Sequence, residues 1–263
     1  MCASSLPMLA AMMTTTMAAF HSRKYVLGVD GCRTGWIAAA LSLDARSLSF
    51  AVFPDFTTLL AHHASAQAIA VDMPIGLRED FAPRACDREA RRLLGPRGSS
   101  IFPAPDRSLL TFCNLDGDKQ KQYVRACEHS FNRCGKKISL QTFHLLPRIV
   151  ELDVLLTPQL QRRVIEAHPE LSFLTASGTQ LAHAKRTAEG YAERRAILER
   201  LFPHIAIPER NTVTGTYRGA QPDDLLDAVI AAWSALRWHR GEAQLLPSET
   251  ERDPRGLRMQ IAV

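Results

Sequence analysis

The chain has 263 residues, 46% hydrophobic and 22% charged, with a formal net charge of +5. That length and apolar content suffice for a buried core, which excludes disordered, fibrous and collagen-like chains. The mild basic excess is compatible with an anionic partner but does not single one out.

One domain over residues 23–263 is expected, with an insertion at about 113–137. Residues 1–22 are rich in Ala, Met, Ser and Thr and contain no acid. Their apolar run, Leu6 to Met13, has no preceding basic residue and is too short to cross a bilayer, so a disordered extension, or a start codon mis-called upstream of Met17, is expected in preference to a signal peptide. No other stretch reaches transmembrane length. The six cysteines form no Cys-x-x-Cys pair. Ordinary thiols in a reduced cytoplasm outweigh a metal or redox role, even for the nearest pair, Cys127 and Cys134.

The run Tyr25 to Asp30 reads as a strand closed by Gly28, Asp30 and Gly31, and Trp36 to Ser42 as a second strand after a tight turn. Ser47 to Phe53 completes an antiparallel meander. Phe56 to Ala64 predicts a short helix, and Ala68 to Val71 a buried strand that Pro74 ends, leaving Asp72 at its C-terminus. Pro83 to Leu94 is bracketed by helix start and stop residues. Arg84, Arg88 and Arg91 give that helix a basic face, which is more often solvated than functional. The Gly95 to Ser100 loop is rich in backbone donors and hydroxyls and suits a phosphate.

Cys113 to Lys137 is polar and aperiodic and reads as an insertion or mobile loop. Thr142 to Leu156 predicts a helix interrupted by Pro147, and Arg162 to Glu166 a strand closed by Pro169. Thr187 to Phe202 reads as an amphipathic helix capped by Thr187, and Pro222 to Arg240 as a long final helix. This order implies a mixed sheet flanked by helices and not an alternating Rossmann pattern.

Acids gather at the ends of these elements. Asp30 closes the first strand, Asp72 the fourth and Glu166 the fifth. Asp223, Asp224 and Asp227 share one face in the first turns of the last helix, opposite Leu225, Leu226, Val229, Trp233 and Leu236. Small Ala228 and Ala231 would let that face approach a strand. Carboxylates so gathered repel, and a hard cation such as Mg²⁺ or Mn²⁺ relieves the repulsion. Two such ions about 4 Å apart could clamp a phosphodiester. Taken singly, each acid has a plainer reading: a helix-dipole partner, a turn residue, or a pair for Arg162 or His168. Their joint placement favours a site.

Five segments together resemble the DUF429 family, whose members are predicted to be nucleases of ribonuclease H fold. They are Gly28-Val29-Asp30-Gly31-Cys32-Arg33-Thr34-Gly35-Trp36, Val71-Asp72-Met73-Pro74-Ile75-Gly76-Leu77, Arg84-x-Cys86-Asp87-x-Glu89-Ala90-Arg91, Glu166-x-His168-Pro169-Glu170-x-Ser172-Phe173 and Asp223-Asp224-x-x-Asp227-Ala228. The resemblance spans roughly residues 25–262. It implies a ribonuclease H-like α/β domain with a resolvase-like arrangement, in which Asp30, Asp72, Asp224 and Asp227 bind metal and Glu166 is an added ligand or general base. Lys185 and the loop carrying Arg97, Ser99 and Ser100 would contact phosphate, with Arg33 and Arg91 as further substrate contacts.

The leading expectation is a metal-dependent nuclease. An actin-like ATPase or phosphotransferase shares the fold and could use the Gly31 to Gly35 turn. However, the chain has no Gly-Gly dipeptide and no Walker motif, carries acids on its last helix, and leaves little room for two lobes. A binding protein that kept the fold without turnover is the third reading.

Overall fold

In the computed structural model, which describes residues 24–113 and 117–263, β-branched and aromatic runs build one seven-stranded sheet. Strands β1 (Tyr25–Cys32), β2 (Gly35–Ser42) and β3 (Leu48–Phe53) form the antiparallel meander. Strand β4 (Ile69–Val71) lies parallel to β1, and β5 (Val164–Ala167) parallel to β4. The short β6 (Leu245–Leu246) and β7 (Ile261–Ala262) complete the order β3-β2-β1-β4-β5-β7-β6.

Both faces are covered, as buried parallel strands require. Tyr25, Leu27 and Val29 of β1 point to the face covered by α1 (Phe56–His62) and α4 (Leu140–Leu155), through Phe56, Leu59, Ile149 and Leu152. Val26 and Cys32 point the other way, into a cluster with α5 (Pro169–Ser177), α6 (Ala188–Leu201) and α8 (Pro222–His239). The remaining helices are α2 (Ala85–Leu94), α3 (Lys119–Cys134) and α7 (Arg210–Thr216).

Gly28 sets the distance between β1 and α8. A Cβ at this position would lie 2.0 Å from both the Ala228 carbonyl oxygen and the Ala232 amide nitrogen. Backbone cannot yield as a flexible side chain can, so any larger residue would push the helix off the strand. Because strand side chains alternate, Asp30 shares the face of Gly28. The close approach that needs glycine therefore also brings Asp227, one residue before Ala228, towards Asp30. The start of α8 is fixed by Pro222 in its first turn and by a capping box between Gln221 and Asp224, whose Oδ2 accepts the Gln221 amide at 2.8 Å.

Several expectations need correcting. Strand β1 continues past Asp30, which pairs with Ile37, so the turn shrinks to Arg33 and Thr34. Glu166 lies inside β5, opposite Val71. Most of the supposed loop at 113–137 is α3, capped by Asp118 and stopped by Gly135 in the left-handed region. Its buried strip is only Ala126, Cys127 and Ser130, too narrow to show a period in sequence. Helix α4 runs through Pro147, because buried Leu146, Ile149 and Leu152 hold the two halves together despite one lost backbone bond. Pro169 starts α5 in addition to closing the strand segment. The expected extension at 1–22 lies outside the described residues. Among those described, no helix is long and apolar enough to cross a membrane, and Cys32, Cys86, Cys113, Cys127 and Cys134 are free thiols.

Candidate active site

Asp30 and Asp72 come together because β1 and β4 are parallel neighbours. Val29 pairs with Val71, and the Asp72 amide donates to the Val29 carbonyl at 2.9 Å. Alternation turns both carboxylates toward α8. Asp30 is only 8% exposed, and its Oδ1 accepts the Gly31 amide at 2.7 Å. From α8, buried Asp227 acts on both of them, and Asp223 is buried in the same first turns of the helix. Lys185, just before α6, places Nζ 2.7 Å from an Asp227 oxygen and 3.7 Å from Asp223. The Lys185 segment is pinned from both sides: Glu193 accepts the Ala182 and His183 amides, and Arg97 donates to the Leu181 carbonyl.

These groups form one electrostatic unit. Burial, then Asp72 and Asp227, hold the Asp30 carboxyl well above the ordinary carboxylate range. Burial and Asp227 push Asp72 up to about 7. Burial pushes Asp224 up to about 6, with Asp223 adding to it and the Gln221 hydrogen bond opposing. Asp227 is the main cause of a raised Lys185, with Asp30 and Asp72 adding to it. Asp30 thus feels Asp72, Asp227 and Asp224, and one lysine serves several carboxylates.

A stability effect follows for the metal-free protein. Asp72 has a folded pKa above its unfolded value near 3.9, so between about pH 4 and 7 the folded state binds the extra proton. Stability from this group therefore falls as pH rises through that window. Relative to wild type, Asp72→Asn should gain about 1–3 kcal/mol between pH 4 and pH 8, measured by urea unfolding in chelator. A difference independent of pH would mean that the Asp72 carboxyl is not crowded.

Glu166 does not join this cluster. Its neighbours Ile165 and Ala167 face α8, so Glu166 points to the opposite side of the sheet. There it is clamped by Arg84, with bonds of 2.7 and 2.8 Å, and accepts the Ile75 amide at 2.7 Å. Burial raises its pKa while Arg84 opposes. Arg84 is 2% exposed and also binds Asp87 at 2.6 Å and the Ile75 and Gly76 carbonyls. The expected basic face of α2 is reduced accordingly to exposed Arg88 and Arg91.

The Gly95–Ser100 segment is a 3-10 turn whose polar groups are largely engaged within the protein. Arg97 also reaches Glu170 at 3.4 Å, and the Ser100 hydroxyl donates to the Arg97 carbonyl. Ser99 remains exposed, as does Arg33 in the β1–β2 turn. Two residues near the acids were missed in sequence. Glu170, paired with Arg194 and Arg97, is the glutamate whose charge reaches Asp72. His168 has a buried Nδ1 with no hydrogen-bond partner among the described residues. Burial lowers its pKa, favouring the neutral ring. The His168-Pro169-Glu170 triplet carries the available signal, but in sequence its proline reads as strand punctuation.

The donor set of Asp30, Asp72, Asp224 and Asp227 is all carboxylate oxygen, which suits a hard divalent cation. As arranged, no three or more His, Cys, Asp or Glu side chains among the described residues are grouped so as to hold one. Instead Lys185 neutralises Asp227 and Asp223. Its side chain is 39% exposed, so its ammonium can move to water if a divalent ion takes its place.

A family model described as a protein of unknown function, DUF429, matches residues 28–252. The chain belongs to the DUF429 family. No curated protein and no solved structure matches it. The DUF429 match runs from β1 to beyond β6 and so includes every acid of the cluster.

Proposed function

We propose that this DUF429 protein is a divalent-metal-dependent nuclease built on a ribonuclease H-like domain. The observation that carries this reading is the convergence of Asp30 and Asp72, on adjacent parallel strands, with Asp227 on a helix seated directly over Gly28. The antiparallel meander beside parallel β4 and β5, with acids on the final long helix, supports the ribonuclease H-like assignment.

Asp30, Asp72, Asp224 and Asp227 would hold Mg²⁺ or Mn²⁺. When bound, the ion would supply a water of lowered pKa and offset charge on the phosphodiester. Asp30 and Asp72 are fixed by the β1–β4 ladder and need no rearrangement of backbone to act together. Lys185 keeps Asp227 in place and, once released, can donate from Nζ to a phosphate oxygen. Arg33 and Arg91 offer exposed guanidiniums to a nucleic acid backbone. The free thiols support a reducing, cytoplasmic setting.

The test is hydrolysis of DNA, RNA and bis(p-nitrophenyl) phosphate with Mn²⁺ or Mg²⁺, against chelator and Asp30→Asn controls. Failure of wild type on the whole panel would leave a fold retained for binding alone.

A further inference from the structure

Beside the acids lies a cavity of about 380 Å³, between the residues leading into α6, α7 and the start of α8. Lys185, Arg186 and Arg210 line it together with Gln221, Asp223 and Asp224. Lys185 and Asp224 belong to both the cavity and the acidic cluster, so the two are continuous. The volume is at the lower end of ligand pockets, about 300–1,000 Å³, which suits one nucleotide unit and is too small to take in a duplex.

The cations are available to a ligand. Arg186 is 88% exposed and comes no closer than 3.9 Å to Asp223. Arg210 donates one bond, 3.0 Å, to the Arg186 carbonyl, which orients the side chain while leaving further donors of its guanidinium. Tyr191 also lines the cavity, but the residue is only 4% exposed and its hydroxyl donates to the Pro208 carbonyl at 2.8 Å. It is part of the wall and offers no open face for stacking a base. Recognition through charge without stacking reads the phosphate backbone, and not the base sequence. The cationic edge extends beyond the cavity: the Arg33 amide donates to the Gly219 carbonyl at 3.1 Å and Thr34 to the Arg218 carbonyl at 2.8 Å, placing exposed Arg33 and Arg218 along the approach to Gln221.

The geometry points to this cavity as a subsite for the backbone phosphate of a single-stranded nucleic acid, next to the diester held at the acids. It rests on the nuclease reading for the neighbouring reaction, while its own binding can be measured separately. The strand enters past Arg33 and Arg218, one phosphate sits between Arg186 and Arg210, and the next reaches Lys185 and the carboxylates.

The experiment is fluorescence anisotropy with a labelled 12-nucleotide oligothymidylate, on the full chain in chelator, across a salt series. In R186Q/R210Q, binding should weaken at least about fivefold, and the log–log salt slope should flatten by about 1.4, two contacts at about 0.7 each. R186K/R210K should restore the slope. R46Q, in the β2–β3 turn at the far end of the hairpin from Asp30, should bind as wild type. An unchanged slope in R186Q/R210Q overturns the subsite, as does wild type that fails to bind the oligonucleotide. Thymidine 5′-monophosphate or inorganic phosphate binding as tightly as the 12-mer would also overturn it, showing a site for a free phosphate compound. If the double variant loses its circular dichroism signal, exposed Arg186 alone, as R186Q, carries the test with an expected slope change of about 0.7. Hydrolysis of bis(p-nitrophenyl) phosphate by wild type separates the two readings. Hydrolysis with an unchanged slope removes only the subsite; a changed slope without hydrolysis removes only the nuclease.

Discussion

Asp30→Asn is expected to lower Mn²⁺- or Mg²⁺-dependent cleavage by roughly 10³-fold or more, with metal-free stability unchanged or raised. Asn keeps the shape of Asp and an oxygen for the Gly31 amide, now 2.7 Å from Oδ1. It removes one charge from a buried group already destabilised by Asp72 and Asp227. Asp227→Asn should lose cleavage to the same degree but with a different stability effect. Lys185 would lose its 2.7 Å partner, and because the pair is partly exposed the cost should be about 1 kcal/mol. Steady-state cleavage together with thermal unfolding in chelator distinguishes the two variants. If Asp30→Asn retains wild-type cleavage, the acids do not form the reacting centre.

The second large effect is expected on the other face of the sheet, where Arg84→Ala should cost about 3–5 kcal/mol of folding stability. The substitution strands Glu166 and Asp87, both buried, without the guanidinium that binds them at 2.7 and 2.6 Å, and it frees the Ile75 and Gly76 carbonyls. Glu166→Gln should also destabilise the protein, since the amide cannot supply charge to both arms of Arg84. Urea unfolding tests both. Full stability with lost cleavage in Glu166→Gln would return Glu166 to the reaction; destabilisation assigns it to holding the 75–84 loop on β5.

The clustered acids were legible in sequence because each belonged to a strongly patterned element. Apolar runs ending at Asp72 and including Asp30, and a long helix starting Pro222-Asp223-Asp224, fix position with little help from tertiary contacts. Glu166 had the same local appearance, and sequence could not reveal its face: a strand reverses side with every residue, so a one-residue difference in where β5 ends decides the matter. Arg84 was similarly misplaced because burial of an arginine depends on partners distant in sequence, here Glu166. Helix α3 was hidden by its polar composition: its narrow apolar strip is buried through Ala126 against Leu109, Phe143 and Leu146, contacts that its own pattern does not announce. The cavity beside α8 draws on residues from 185 to 224, brought together by packing alone.

The most direct measurement is Mn²⁺ binding to the chelator-treated wild-type protein, by calorimetry or by electron paramagnetic resonance. Saturable binding is predicted, lost in Asp30→Asn, with apparent affinity rising between pH 6 and 8 as Mn²⁺ displaces the proton from Asp72, whose pKa lies at about 7. Folded wild-type protein that binds no Mn²⁺ at pH 8, or Asp30→Asn that binds it as wild type does, would contradict a metal site at these acids.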